Sequence, residues 1–254
     1  MEKRSVINLP RIYLSPSTQE YNLYVNEGNE EFWMNLLADA MEPLLNASGI
    51  LFTRNTPDMT AGSSIAASNR GNYDLHLALH TNASGAQNAG QQRGIIAFYF
   101  PGSAQGMAAA DFFVDGLKII YPLPNQVRTQ ATTTLGEVRL TRAPSVLLEL
   151  GFHDNPEDAA WIITHIDQMA RTLVLALTEF FGIPFFTTSN PRPGVVDLES
   201  GTLNVYTQPG NNTTIVAQLY DGARVMVLNE YNGWYLIRFG EQVGYASSEY
   251  IDLV

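Results

Sequence analysis

The side chains most able to do chemistry in this 254-residue chain are four histidines and one carboxylate set in an apolar run. Cysteine is absent, so disulfides and thiolate metal sites are excluded, and any metal must be held by imidazole and carboxylate. Leu75-His76-Leu77-Ala78-Leu79-His80 alternates at the strand period, which puts His76 and His80 on one face. Four strand residues span ~13 Å, too far for both imidazoles to reach one metal. His80 closes the strand, and open parallel sheets form their sites at the carboxyl ends of strands. His76 reads as a core residue. Glu149 lies within Val146-Leu147-Leu148-Glu149-Leu150, where a carboxylate is costly unless paired or metal-bound. Two readings stand: a structural ion pair, with Arg142 a candidate partner, or a general base whose pKa burial raises. His165, beside apolar positions in Trp161–Met169, reads as structural.

Strand-like and helix-like segments alternate through residue 186, the pattern of an α/β domain with a mostly parallel sheet flanked by helices. Strands are expected at Arg11–Leu14, Ile50–Thr53, Leu75–Leu79, Ile95–Phe100 and Ser145–Leu150. The last is apolar almost throughout, as a buried parallel strand should be. Glu30–Leu45 carries Trp33, Leu36, Leu37, Ala40 and Leu44 at helical spacing, with Gly49 as a stop signal. Further helices are expected at Ala108–Ile120 and, as one long helix or a pair, Asn155–Phe181. Thr187–Gly194, TTSNPRPG, is polar with two prolines and reads as a short stiff linker. From 195 to 254, short alternating runs separated by Asp221-Gly222 and Asn232-Gly233 predict a small all-β barrel.

Composition limits the partners. With 45% hydrophobic and 15% charged residues the chain is globular, and a net charge of −11 argues against nucleic acid or an anionic membrane as an electrostatic partner. The start, MEKRSVINLPRIYLSPSTQ, has a basic tip but no continuous apolar segment and no cleavage site, so neither a signal peptide nor membrane insertion is expected.

Asp74–Ala83, with His80 near its end, and Arg139–Phe152, with Glu149 in PSVLLELGF, resemble two segments of the zinc-dependent N-acetylmuramoyl-L-alanine amidases of the amidase-3 type. Thr53-Arg54 and Ser68-Asn69 resemble two shorter motifs of that family, in the same order. The resemblance covers residues 1–186 and implies Zn2+ as cofactor, His80 as a ligand and Glu149 as the catalytic carboxylate. A family ligand glutamate opens the first helix eight positions before an alanine; Glu30 does so relative to Ala38, with Glu31 the competitor. Both have an ordinary reading as acidic residues favoured in a helix's first turn. The family's first histidine ligand is missing: Ser15-Pro16-Ser17-Thr18-Gln19 stands in that turn, with Thr18 at its place. Catalytic zinc normally keeps three protein ligands. His153 is the expected substitute, against a plain loop histidine bonded to Asp154, and Gln19 is a weaker donor that could hold a water.

Leu203–Gly210, Asn232–Ile237 and Val243–Ile251 resemble the bacterial SH3-like domain, which implies binding of peptidoglycan peptides. Trp234, Tyr235 and Tyr245 are expected in the barrel core, and Tyr206 and Tyr231 in an exposed aromatic groove. Only Arg224 and Arg238 are basic after the linker, so acidic wall polymers are poor partners. The expected function is hydrolysis of the amide between N-acetylmuramic acid and L-alanine at the bacterial wall, by an autolysin or, lacking a leader, a phage-type endolysin. The alternatives are a non-catalytic wall binder on a degenerate amidase fold and a zinc peptidase of stem peptides.

Overall fold

The computed structural model describes residues 9–254; the basic tip, residues 1–8, lies outside the described residues. The chain divides into two compact units, Arg11–Glu42 with Phe52–Phe180, and Pro43–Leu51 with Phe181–Val254 and residues 9–10.

The α/β elements are β1 (Arg11–Pro16), α1 (Glu30–Ala47), β2 (Leu51–Arg54), α2 (Ala61–Arg70), β3 (Leu75–Asn82) and β4 (Ile95–Tyr99). They continue with α3 (Ala104–Ile120), β5 (Val127–Ala131), α4 (Gly136–Arg139), β6 (Ser145–Phe152), α5 (Pro156–Thr164) and α6 (Ile166–Phe181). The six strands form one sheet in the order β2-β1-β3-β6-β4-β5. β3 runs parallel to both β1 and β6, and β4 runs parallel to β5 but antiparallel to β6. The mostly parallel α/β sheet is the one expected. Its centre, LHLALHTN beside SVLLELGF, is buried almost throughout, which is why those runs are apolar.

Three elements of the α/β domain escaped the sequence reading. α2 is built mostly of small residues, with Ile65 its one large apolar side chain, and a capping box between Thr60 and Ser63 starts it. β5 is a half-exposed edge strand, and α4 is a single turn. In α1 the buried stripe is Met34, Leu37, Ala38, Met41 and Leu45, one position round from the predicted face. The expected helix 155–181 is a pair that breaks at His165.

The second unit holds β7 (Arg192–Val196), β8 (Leu203–Tyr206), β9 (Ile215–Leu219), β10 (Arg224–Tyr231), β11 (Trp234–Phe239), β12 (Gln242–Ser247) and β13 (Ile251–Leu253). They pair antiparallel in the order β13-β7-β10-β11-β12-β8-β9 around Val196, Val205, Val227, Tyr235 and Ile237. Asn232 and Gly233, both at positive φ, make the two-residue hairpin turn between β10 and β11. Arg192–Gly194, within the expected linker, is strand: these residues pair with Val225–Val227 of β10 and bring a third arginine into the module.

Candidate active site

The register of the central strands assembles a polar face. His76 lies opposite Tyr13 and Ser145, Ala78 opposite Ser15, and His80 opposite Glu149. Alternation therefore puts Ser15, His76, His80 and Glu149 on one side of the sheet.

Glu30 reaches the same place from α1. It is fully buried at the head of that helix's buried stripe, whereas Glu31 is turned outward by one helical step. Glu30 Oε1 lies 2.8 Å from His80 Nδ1 and accepts from the Thr81 amide at 3.3 Å; Oε2 accepts from Asn22 Nδ2 at 2.5 Å. Gln19, not Thr18, arrives from the turn after β1: its Nε2 is 3.2 Å from His80 Nδ1, and its Oε1 accepts from Asn22 Nδ2 at 3.2 Å. Two groups from two other segments thus converge on one nitrogen of His80.

The other nitrogen of His80 is also engaged. Nε2 is 3.0 Å from Oε2 of Glu137, a buried carboxylate on α4. The second oxygen of Glu137 accepts from the Ser15 hydroxyl at 2.5 Å and faces His76 Nε2 at 3.2 Å. His76 is core, as expected, with Nδ1 held 3.0 Å from the Ser68 hydroxyl. One carboxylate spans the two histidines, an oxygen to each. Nothing in the run Leu135-Gly136-Glu137-Val138 marked Glu137 as more than a surface acid.

Burial alone would favour neutral side chains here, and the pairings oppose it. Desolvation lowers the His80 pKa, but its bonds to Glu137 and Glu30 outweigh this and raise it well above the ordinary value. Burial likewise pushes Glu30 and Glu137 up, while hydrogen bonds hold both below the usual carboxylate range: from His80 and Asn22 for Glu30, from His76 and His80 for Glu137. Glu149 has no such bonds. Desolvation raises its pKa to about 7 against a smaller opposing pull from His80, and its Oε2 is buried without a hydrogen-bond partner among the described residues. Arg142 is not its partner; that side chain bonds the Asn69 carbonyl.

His153 does not join Glu30 and His80. A regular strand would put residues 149, 151 and 153 on one face, but β6 bulges at Gly151, which adopts φ 121° where the register with β3 slips. His153 Nδ1 lies instead 3.1 Å from the hydroxyl of Thr81, the residue after His80, whose side chain points to the opposite face. Its ring stacks on Tyr24, with centroids 5.6 Å apart. The bond to Asp154 is also absent, because that carboxylate accepts from the Ser84 and Gly90 amides. Among the described residues no three His, Cys, Asp or Glu side chains come together as a metal-holding group.

The remaining motif residues are braces. Arg54 bonds Asp39, Glu42 and Asn35 on α1, and Asn69 clamps the approach to β6 through Leu140 and Arg142.

Residues 19–179 match the family model for N-acetylmuramoyl-L-alanine amidase. The chain belongs to that family. It is thereby placed among the peptidoglycan hydrolases, and residues 201–252 match the bacterial SH3 domain. The fold agrees at low sequence identity. An N-acetylmuramoyl-L-alanine amidase of Nostoc punctiforme, AmiC2, is 14% identical over 68% of this chain and 97% of its own, with a TM-score of 0.60. The corresponding figures for an amidase from Clostridium difficile 630 are 17%, 69%, 98% and 0.60. For the catalytic domain of the CD27L endolysin targeting Clostridia Difficile they are 18%, 67%, 97% and 0.55. No curated protein matches at the level of sequence.

In the SH3-type module, Tyr235 and Tyr245 are core as expected, but Trp234 is not: it packs edge-on against Tyr206 and lines a groove with Leu198, Asn204, Ser247 and Tyr250. Tyr206 lines that groove while largely buried, and Tyr231 is exposed outside it. No described helix is long and apolar enough to cross a membrane.

Proposed function

We propose that this family member cleaves the amide between N-acetylmuramic acid and L-alanine at the cell wall, with Glu149 as general base. The observation that carries the reading is a carboxylate with one buried, unpartnered oxygen and a pKa near 7, directly across from His80. Such a group is poised to exchange a proton at neutral pH. In the reaction a water oxygen bonds to the lactyl carbonyl carbon and gives its proton to Glu149. The C–N bond then breaks, and the proton passes from Glu149 to the leaving nitrogen of L-alanine. The products are a carboxylate on the sugar and a free amine on the peptide.

Glu30 and His80 would supply two donors to a zinc ion, and a third would have to come from the Gln19 carboxamide oxygen, which in this structure accepts from Asn22. When bound, the ion would supply carbonyl polarisation and an acidified water. The position of Gln19 favours it over His153 for the third role, because Gln19 lies against His80 and would ligate through Oε1, whereas His153 bonds the Thr81 hydroxyl. His153, through Thr81, braces the backbone beside Glu30. The SH3-type module would hold wall peptides in the Trp234 groove. Mass spectrometry of peptidoglycan digested by wild type and by Glu149→Gln tests the reaction. New N-terminal L-alanine with wild type only is expected; a different cut bond would hand the site to a stem-peptide peptidase.

A further inference from the structure

The segment that carries Gln19 also presents an apolar ridge to which the reaction above gives no role. Tyr21, Leu23 and Phe32 are 73%, 70% and 52% exposed, between the end of β1 and the first turn of α1. We propose that this ridge is a glycan subsite: the neutral sugar chain of the substrate lies along it, with Tyr21 stacked against a pyranose ring. The inference rests on the reading of the site as one that cuts the sugar–peptide amide.

Residues 22–30 fold back on themselves, so that alternate side chains serve opposite purposes. The Glu30 amide donates to the Asn22 carbonyl and the Tyr24 amide to the Gly28 carbonyl, with Leu23 bridged to Asn29. Asn22 and Tyr24 face inward: Asn22 bonds Glu30 and Gln19, and the Tyr24 hydroxyl donates to Thr81. Alternation turns Leu23 and Asn29 the other way. Asn29 Oδ1 accepts from the Phe32 amide at 2.8 Å, which joins Leu23 to the head of α1, and Phe32 packs edge-on against Trp33. At the other end the Tyr21 hydroxyl donates to Gln19 Oε1 at 3.3 Å, so the ridge starts at a side chain that itself touches His80. The inward bonds hold the outward side chains in place without covering them. Single exposed apolar residues are ordinary, but a contiguous set beside a polar site marks a surface that binds something.

Charge selects the occupant. No Lys or Arg occurs from residue 12 to 53, and Glu20, Glu27 and Glu31 are interleaved with the ridge residues. A peptide with free carboxylates is repelled there, and a second copy of this chain would bring like charge to like. The sugar chain is uncharged wherever its lactyl carboxyl is tied up as the amide. The C–H face of a pyranose also suits the electron-rich face of an aromatic ring.

The test uses full-length protein and a β-1,4-linked tetramer of N-acetylglucosamine, which holds no sugar–peptide bond and so reports binding apart from cleavage. In ring-labelled protein the tetrasaccharide should shift the NMR signals of Tyr21 and Phe32. Tyr21→Ala should weaken this binding by about tenfold, and Tyr21→Phe should keep it, because the ring makes the contact and the hydroxyl does not. On soluble glycan fragments bearing peptides, Tyr21→Ala should raise KM about tenfold with kcat retained. The proposal is overturned if the shifts are confined to Tyr206 and Tyr250 of the barrel, or if a free stem tetrapeptide moves Tyr21 in place of the sugar. It is equally overturned if Tyr21→Ala lowers kcat at unchanged KM, or only converts a dimer to a monomer in sedimentation. Products cut within the peptide, with the Tyr21 and Phe32 shifts intact, would end the reaction assigned above and leave the glycan subsite standing.

Discussion

The interiors of the two units are built on opposite rules. The barrel core is Val196, Val205, Val227, Tyr235, Ile237 and their neighbours, a dry apolar fill whose chemistry is confined to the groove outside. The α/β domain buries Glu30, Glu137, His76 and His80 behind its central strands and leaves Glu149 at their edge without a partner. A binding module needs only a stable wall on which to display side chains. A hydrolase needs charges placed where water cannot screen them, and must satisfy every one of them except the group that works.

The largest expected effect comes from that exception. Glu149→Gln should lower the rate of peptidoglycan cleavage by ~10²–10⁴-fold while leaving Zn2+ uptake intact. A mutant that cleaves at the wild-type rate removes the contrast between the two interiors. Next in size is the donor set: His80→Ala should abolish Zn2+ retention after dialysis, Gln19→Ala should weaken it, and His153→Ala should affect it least. Equal losses in His80→Ala and His153→Ala would return His153 to the site.

Glu149 also predicts a pH dependence. Its pKa is raised to about 7 in the folded protein, so the folded state holds this proton more tightly than the unfolded chain does. The native state therefore loses stability as pH rises from the unfolded carboxylate value through 7, by up to ~3 kcal/mol in the metal-free protein. Glu149→Gln lacks this loss. Urea unfolding of the stripped proteins should show the mutant overtaking wild type between pH 5 and 8; parallel curves would mean that Glu149 is ionised throughout.

The smallest effects belong to the barrel. Trp234→Ala should weaken binding of wall fragments by about tenfold, roughly a 1–2 kcal/mol contact, and Tyr231→Ala should not. An isolated tail starting at 187 should give an all-β circular dichroism spectrum. One starting at Val195 should not, because it removes Arg192–Gly194 from β7.

The fold was legible where hydrophobic contrast was strong: β3, β6 and the alternating strands of the barrel. It was illegible in α2, whose residues are small, and in α4, a turn too short to carry a period. The same limit applied to the site. Glu149 and His80 were visible because each interrupts an apolar strand, and Glu30 only through the family resemblance. Glu137 was hidden because its significance depends on α4 lying against His76 and His80. His153 was named only as a substitute for the missing first histidine, and its placement against Thr81 follows the bulge at Gly151, which no periodicity announces.

Every contact that His80 makes within the site spans a long stretch of chain: 61 residues to Gln19, 50 to Glu30 and 57 to Glu137. Closing loops of that length costs entropy before any pairing is rewarded, so this sheet assembles late and slowly. Nascent or heat-loosened chains consequently hold none of the convergent geometry, and partial unfolding should erase metal uptake and lytic power in a single step.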